Sequence, residues 1–249
     1  MSKPIIYQGE FVSQANVVWR VEIWRDSNES SSELGELSFD ANESVLIEWG
    51  EVSKEEPLCP STATIKVISP ADGTYQDLYT IKAGSVGAHI YREGQLYWAG
   101  TLDAEFYEEP YEMRDSYVVS LTFSDFGMLD RVPLSLRGIV TLQQVLDTAQ
   151  QCAALERLTL DTSMLSLQYE DGLLYPFGNI AVNADNWRDD TGTYASLKQV
   201  LTDMLQPLAL RLVSRGGRLY LYDLHGLYTT AQREKIHWMG STQTLIVDK

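Results

Sequence analysis

Apolar and polar residues alternate along the front half of the chain. From Val17 to Arg25, Val17, Trp19, Val21 and Ile23 fall on one side and Val18, Arg20, Glu22 and Trp24 on the other, the period of two that marks a strand. Shorter runs at Gly35–Phe39, Val45–Trp49 and Thr62–Ile68 predict further strands, separated by Asn, Ser, Glu and Pro residues suited to turns. Ser27–Glu33 reads as a polar loop. His89–Trp98 reads as two short strands around Arg92–Gln95, with Gly94 where a hairpin needs positive φ. Leu102–Tyr107 and Ser116–Phe123 are expected to pair across the acidic, proline-containing connection 108–115.

The period changes after Gly138. Thr141 and Gln144 have capping-box spacing, and Leu142, Val145, Leu146, Ala149 and Ala153 recur at helical intervals. A second helix is expected from about Thr193, with Tyr194, Leu197, Val200, Leu201, Met204, Leu205 and Leu208 on one face and Pro207 near its end. Leu158–Leu160 reads as a short strand between the two helices. Beyond them, alternation around Gly216 and Gly217 predicts a hairpin, and Ile236–Met239 and Thr244–Val247 continue the β pattern. The fold class expected is therefore α+β and mainly β. A β domain covers residues 1–138, an α/β segment of two helices covers 139–209, and a returning β portion covers 210–249. No repeat of solenoid or propeller length is present.

Composition narrows the function. A chain of 249 residues with 44% hydrophobic and 22% charged residues is that of an ordinary folded protein. Its formal net charge of −16 argues against a partner bound through phosphates, so no specific nucleic-acid binding is expected. No apolar run is long enough to span a bilayer as a helix, and no secretory signal is seen, so synthesis in the cytoplasm is expected. Cys59 and Cys152 form neither a disulfide framework nor a metal spacing; Cys59 reads as loop and Cys152 as core packing.

Candidate chemistry is sparse. Asp125-Phe126-Gly127 matches the metal-binding triplet of protein kinases, but the accompanying catalytic loop and strand lysine are missing, so a tight turn with Phe126 in the core is expected. His89, His225 and His237 belong to no paired metal motif, and no serine lies in a nucleophile elbow. Asp185, Asp189, Asp190 and Gly192 faintly suggest a calcium loop, with Trp187 where the second oxygen ligand belongs; an acidic turn capping the next helix is the plainer reading. Asp103 and Glu105, two apart on a strand, face the same way and could form a carboxylate pair for glycoside hydrolysis or a solvated strand face. Trp187, set among Asp185, Asn186 and Arg188, is the aromatic expected to be exposed, whereas Trp19, Trp49 and Trp98 suit core or subunit contact. Catalytic, cofactor-binding and metal residues are not assigned. A carbohydrate-binding or glycan-cleaving protein is the alternative that the aromatics and paired carboxylates keep open.

The stretch Tyr97-Trp98-Ala99-Gly100-Thr101-Leu102, then Tyr107, Pro110 and Tyr111, then Val119 through Leu129, resembles the tail hub (baseplate) proteins of phages and prophages. In that family a strand ending in Gly-x-Leu precedes a Pro-Tyr turn, a strand ending in Asp and a Gly-x-Leu corner. The likeness continues through Thr141–Leu146, through Tyr194–Leu208, and into Leu210-Arg211-Leu212 and Gly217–Leu221. Phe126 departs from it, since the family often has glycine after the Asp, and family members commonly extend further. The resemblance implies barrel-like β domains and a structural protein that is not an enzyme and needs no cofactor, similar to the hub of contractile tails and type VI secretion spikes. It also implies a homotrimer in the virion or phage-like particle, contacting tail tube, tape measure and spike or tip proteins. In such a ring, Asp103, Glu105, Glu108, Glu109 and Glu112 are the candidates to line the channel and repel passing DNA, a solvated outer surface being the other reading.

Overall fold

β-branched and aromatic residues in alternation build most of the computed structural model, which describes residues 3–26, 34–50, 56–79, 82–103, 116–166, 176–228, 237–239 and 244–246. The fold is α+β and mainly β. The front half forms an eight-stranded sheet from β1 (Ile5–Val12), β2 (Val18–Arg25), β3 (Gly35–Glu36), β4 (Val45–Trp49), β6 (Ser61–Ser69), β7 (Val86–Arg92), β8 (Gln95–Leu102) and β9 (Tyr117–Ser124). β5 (Leu58–Cys59) belongs to a second sheet. The strand order of the large sheet is β3-β1-β2-β7-β8-β9-β6-β4. Its inner face buries Val21, Ile23, Ile65, Val67, Ile90, Trp98, Leu121 and Phe123 in one core.

The end strands β3 and β4 do not pair with each other, so the expected barrel is an open, curled sheet. The linking segment nevertheless touches both ends: Leu37 N–H donates to Gln8 O at 2.9 Å, Ile68 N–H donates to Ser38 O at 2.7 Å, and Phe39 bridges Val67. One end of the curl is thus drawn together, while β4, among the described residues, has a partner only on its β6 side.

The hairpin between β7 and β8 turns through Glu93 and Gly94, both at positive φ. Leu102 is the last residue of β8 and Asp103 follows it outside any strand, so the expected Leu102–Tyr107 strand ends early; residues 104–107 lie outside the described residues, as does Ser27–Glu33.

After β9 the chain turns into α1 (Gly127–Arg131), β10 (Ile139–Thr141) and α2 (Leu142–Gln150). The capping box is complete. Gln144 N–H donates to Thr141 Oγ1 at 3.3 Å, and Thr141 N–H donates to Gln144 Oε1 at 2.9 Å. Thr141→Ala should cost about 1 kcal/mol of stability in denaturant unfolding, and Thr141→Ser should restore most of it. Cys152 lies just past the helix and is buried, as expected of packing.

β11 (Thr159–Asp161) and β12 (Ala181–Asn183) precede α3 (Leu197–Leu205), which starts later than its pattern predicts. Ser196 caps it by accepting from Gln199 N–H, whereas Tyr194 sits in an extended bridge with Arg188. The second sheet has the order β11-β14-β13-β5, where β13 (Leu210–Arg215) and β14 (Arg218–Asp223) are the expected hairpin. Cys59, expected in a loop, is therefore part of a short parallel strand opposite Val213. The helices and the inner face of this sheet share a core that includes Leu142, Leu146, Leu201, Leu212 and Leu221. A last pair, β15 (His237–Met239) and β16 (Thr244–Ile246), is antiparallel.

Candidate functional site

The Asp125 turn lies where the large sheet meets the helices. β9 delivers Asp125 to a position with 0% exposure, and Phe126 enters the second core at 4%. Asp125 Oδ1 accepts from Ser61 N–H at 2.9 Å and from Phe126 N–H at 2.7 Å; Oδ2 accepts from Ser61 Oγ at 2.7 Å. Ser61 Oγ in turn accepts from Trp98 Nε1 at 2.8 Å. Burial raises the carboxyl pKa from 3.8 to about 7, against the pull of the donors. The Cys59 thiol pKa is also pushed up, mainly by burial. The packing is tight: a Cβ on Gly127 would lie 2.2 Å from Ser124 Oγ, and one on Gly100 would lie 2.1 Å from the Trp98 ring.

Beside this joint is a cleft of about 820 Å³ between the ends of β8 and β9 and the helices α1 and α3. Its described lining carries Glu56, Asp103, Asp130, Arg131 and Lys198, with Ser124 and Ser196 between them. Lys198 Nζ lies 3.0 Å from Asp130, and Arg131 lies 3.6 Å from Asp103. Both cations face carboxylates, and Ser196 Oγ is engaged in capping α3. No histidine is among the described residues of the lining, so neither serine has a general base of that kind beside it.

Of the expected channel-lining residues, Asp103 is half-buried beside Arg131, while Glu105, Glu108, Glu109 and Glu112 lie outside the described residues. The carboxylate pair Asp103 and Glu105 falls under the same limit. Trp187 is not the free aromatic that its charged neighbours suggest. It is half-buried against the second core, and its Nε1 donates to Asp203 at 2.9 Å.

The acidic turn is knitted to itself. Asp189 Oδ1 accepts from Thr191 N–H, Thr191 Oγ1 and Thr193 N–H at 2.7 to 2.9 Å, which holds its pKa down. Asp185 accepts from Tyr194 Oη at 2.9 Å. This turn does not cap α3, because Ser196 does. Among the described residues no three His, Cys, Asp or Glu side chains are grouped to hold a metal.

His89 lies buried on the other face of the sheet, near Trp24 and Tyr91. Burial lowers its pKa to about 4, with Arg157 and Lys3 adding to the shift. Sequence reasoning does not find the union of Asp125, Ser61 and Trp98. The three come from separate strands, and only the apolar register of those strands hints that they meet.

No family model and no curated protein matches the sequence. Two solved tail proteins are similar to it. The 43 kDa tail protein of prophage MuSo2 from Shewanella oneidensis shares 13% identity, over 72% of this chain and 55% of that one, at a TM-score of 0.38. A tail protein from Neisseria meningitidis MC58 shares 14% identity, over 82% of this chain and 50% of that one, at a TM-score of 0.39. The chain spans about half the length of both.

Proposed function

We propose that this protein is a structural component of a phage-like tail, a hub or baseplate protein that joins tail tube to tail tip and has no catalytic role. The observation that supports it most is the convergence of the segments that resemble hub proteins. Trp98 to Leu102 and the Asp125–Leu129 corner meet at the Asp125 joint, and the helix opened by Thr141 shares its adjoining core. The described lining of the cleft beside this joint carries the ion pairs Lys198–Asp130 and Arg131–Asp103.

On this reading the working form is a homotrimer, since a closed ring conceals sheet edges that a monomer leaves open. Its neighbours are the tail tube, tape measure and spike or tip proteins, and its place is the tail of the particle. Particles purified from the native host and imaged by electron microscopy should carry the chain at the junction of tube and tip with threefold symmetry. Its absence from the particle, or a symmetry incompatible with three, would reject the proposal.

A further inference from the structure

β4 is one of the two end strands of the large sheet, and its hydrogen-bonding pattern is fixed by its register with β6. Val45 lies opposite Ile65, Ile47 opposite Ala63 and Trp49 opposite Ser61. Lys66 N–H donates to Ser44 O, and Gly50 N–H donates to Pro60 O. In an antiparallel pair, residues that exchange hydrogen bonds alternate with residues that do not. Ser44, Leu46, Glu48 and Gly50 therefore turn their main-chain groups toward β6, and Val45, Ile47 and Trp49 turn theirs outward. Among the described residues, no other strand pairs with this side of β4. The opposite end strand, β3, is only two residues long and runs parallel to β1.

Sheet edges that must stay unpaired usually carry a proline, a lysine or an inward-pointing charge. β4 has none of these: its sequence is Val-Leu-Ile-Glu-Trp, and Val45 and Ile47 point into the core. Its outward side chains are Leu46 and Glu48, both exposed. Glu48 has no ion pair among the described residues. Residues 40–56 carry six carboxylates against one lysine, Lys54. A second copy of so acidic a segment would meet like charge along the edge.

We infer that β4 is a docking edge for an extended, basic strand of a different protein. Main-chain bonds to Val45, Ile47 and Trp49 supply the pairing, and a lysine or arginine opposite Glu48 sets the register. This holds whether or not the chain is a tail component.

The test uses the full chain and two synthetic heptapeptides, one alternating lysine with valine and the other alternating glutamate with valine. Amide hydrogen exchange at Val45, Ile47 and Trp49 should slow at least tenfold with the lysine peptide and stay unchanged with the glutamate peptide. Glu48→Lys, at an exposed position, should weaken the lysine peptide at least fivefold while leaving the melting temperature unchanged. Equal protection by both peptides, no protection by the lysine peptide at saturation, or undiminished binding to Glu48→Lys would each overturn the inference. Protection that rises with chain concentration in the absence of peptide would overturn it in favour of a second copy.

Discussion

Asp125→Asn is expected to remove most of one component of the pH dependence of folding. In the folded chain Asp125 keeps its proton up to about pH 7, whereas an unfolded aspartate releases it near 3.8. The native state therefore binds more protons between those values. The stability contributed by Asp125 is full below the unfolded pKa and is lost as pH rises through the folded one. His89 acts in the opposite sense. Its folded pKa is depressed from 6.5 to about 4, so its contribution is present above the unfolded value and is lost as pH falls toward the folded one. The two overlap, and the wild-type curve alone does not separate them.

The informative quantity is the stability of wild type minus that of Asp125→Asn, read from denaturant midpoints. It should fall by about 3 kcal/mol from about pH 4.5 to about pH 8.5, losing roughly 1.4 kcal/mol for each pH step of one that lies between the unfolded and folded pKa. Asparagine suits the comparison because its amide oxygen still accepts from Ser61 and Phe126 N–H while carrying no charge. A difference that does not change with pH would show that Asp125 titrates normally in the folded chain.

Gly217→Ala should be among the most damaging single-methyl changes in the molecule. Gly217 has φ of 75°, and its N–H donates to Tyr97 O at 2.8 Å, which anchors the β13–β14 turn on β8. A Cβ there would lie 2.0 Å from the Leu96 carbonyl oxygen. Backbone cannot yield as a flexible side chain does, so the turn must lift from β8 or the sheet must distort. The expected cost is about 3 kcal/mol or more, combining left-handed strain with overpacking. Gly216 supplies the control. Its φ is also positive, at 55°, but a Cβ would meet nothing within 4 Å, so Gly216→Ala should cost only about 1 kcal/mol. Equal losses at the two positions in thermal unfolding would mean that contact with Leu96 does not constrain the turn.

Regular alternation makes the strands legible. β2, β4, β6 and the β13–β14 hairpin lie within one or two residues of where the pattern puts them, and the capping box of α2 forms as its spacing predicts. The pattern starts α3 too early because Thr193 and Tyr194 continue a helical spacing, while Asp189 holds Thr191 and Thr193 in a turn of its own. β5 escapes it because two residues beside a proline carry no period. Its pairing with β13 depends on a segment that follows it by most of the chain. Phe126 is legible as a core residue from the turn alone. The burial of Asp125 is not, because it depends on Ser61 and Trp98 arriving from other strands. Trp187 misleads because its sequence neighbours are charged, while Asp203, which takes its N–H, lies on α3.

The path from Leu58 to Ser69 runs through both sheets, as β5 in one and β6 in the other. Every described strand of the large sheet has been synthesised by Ser124, yet β13, the partner of β5, follows only at Leu210–Arg215. Trp49 likewise waits for Ser214, whose carbonyl accepts its Nε1 at 3.1 Å. During translation, then, the first sheet can assemble while this segment still lacks its later neighbours, and closing such long-range contacts is the slow part of building β structure. A ribosome halted between these two stretches would display the Leu58–Cys59 edge without its partner, which is when a chaperone would have most to protect.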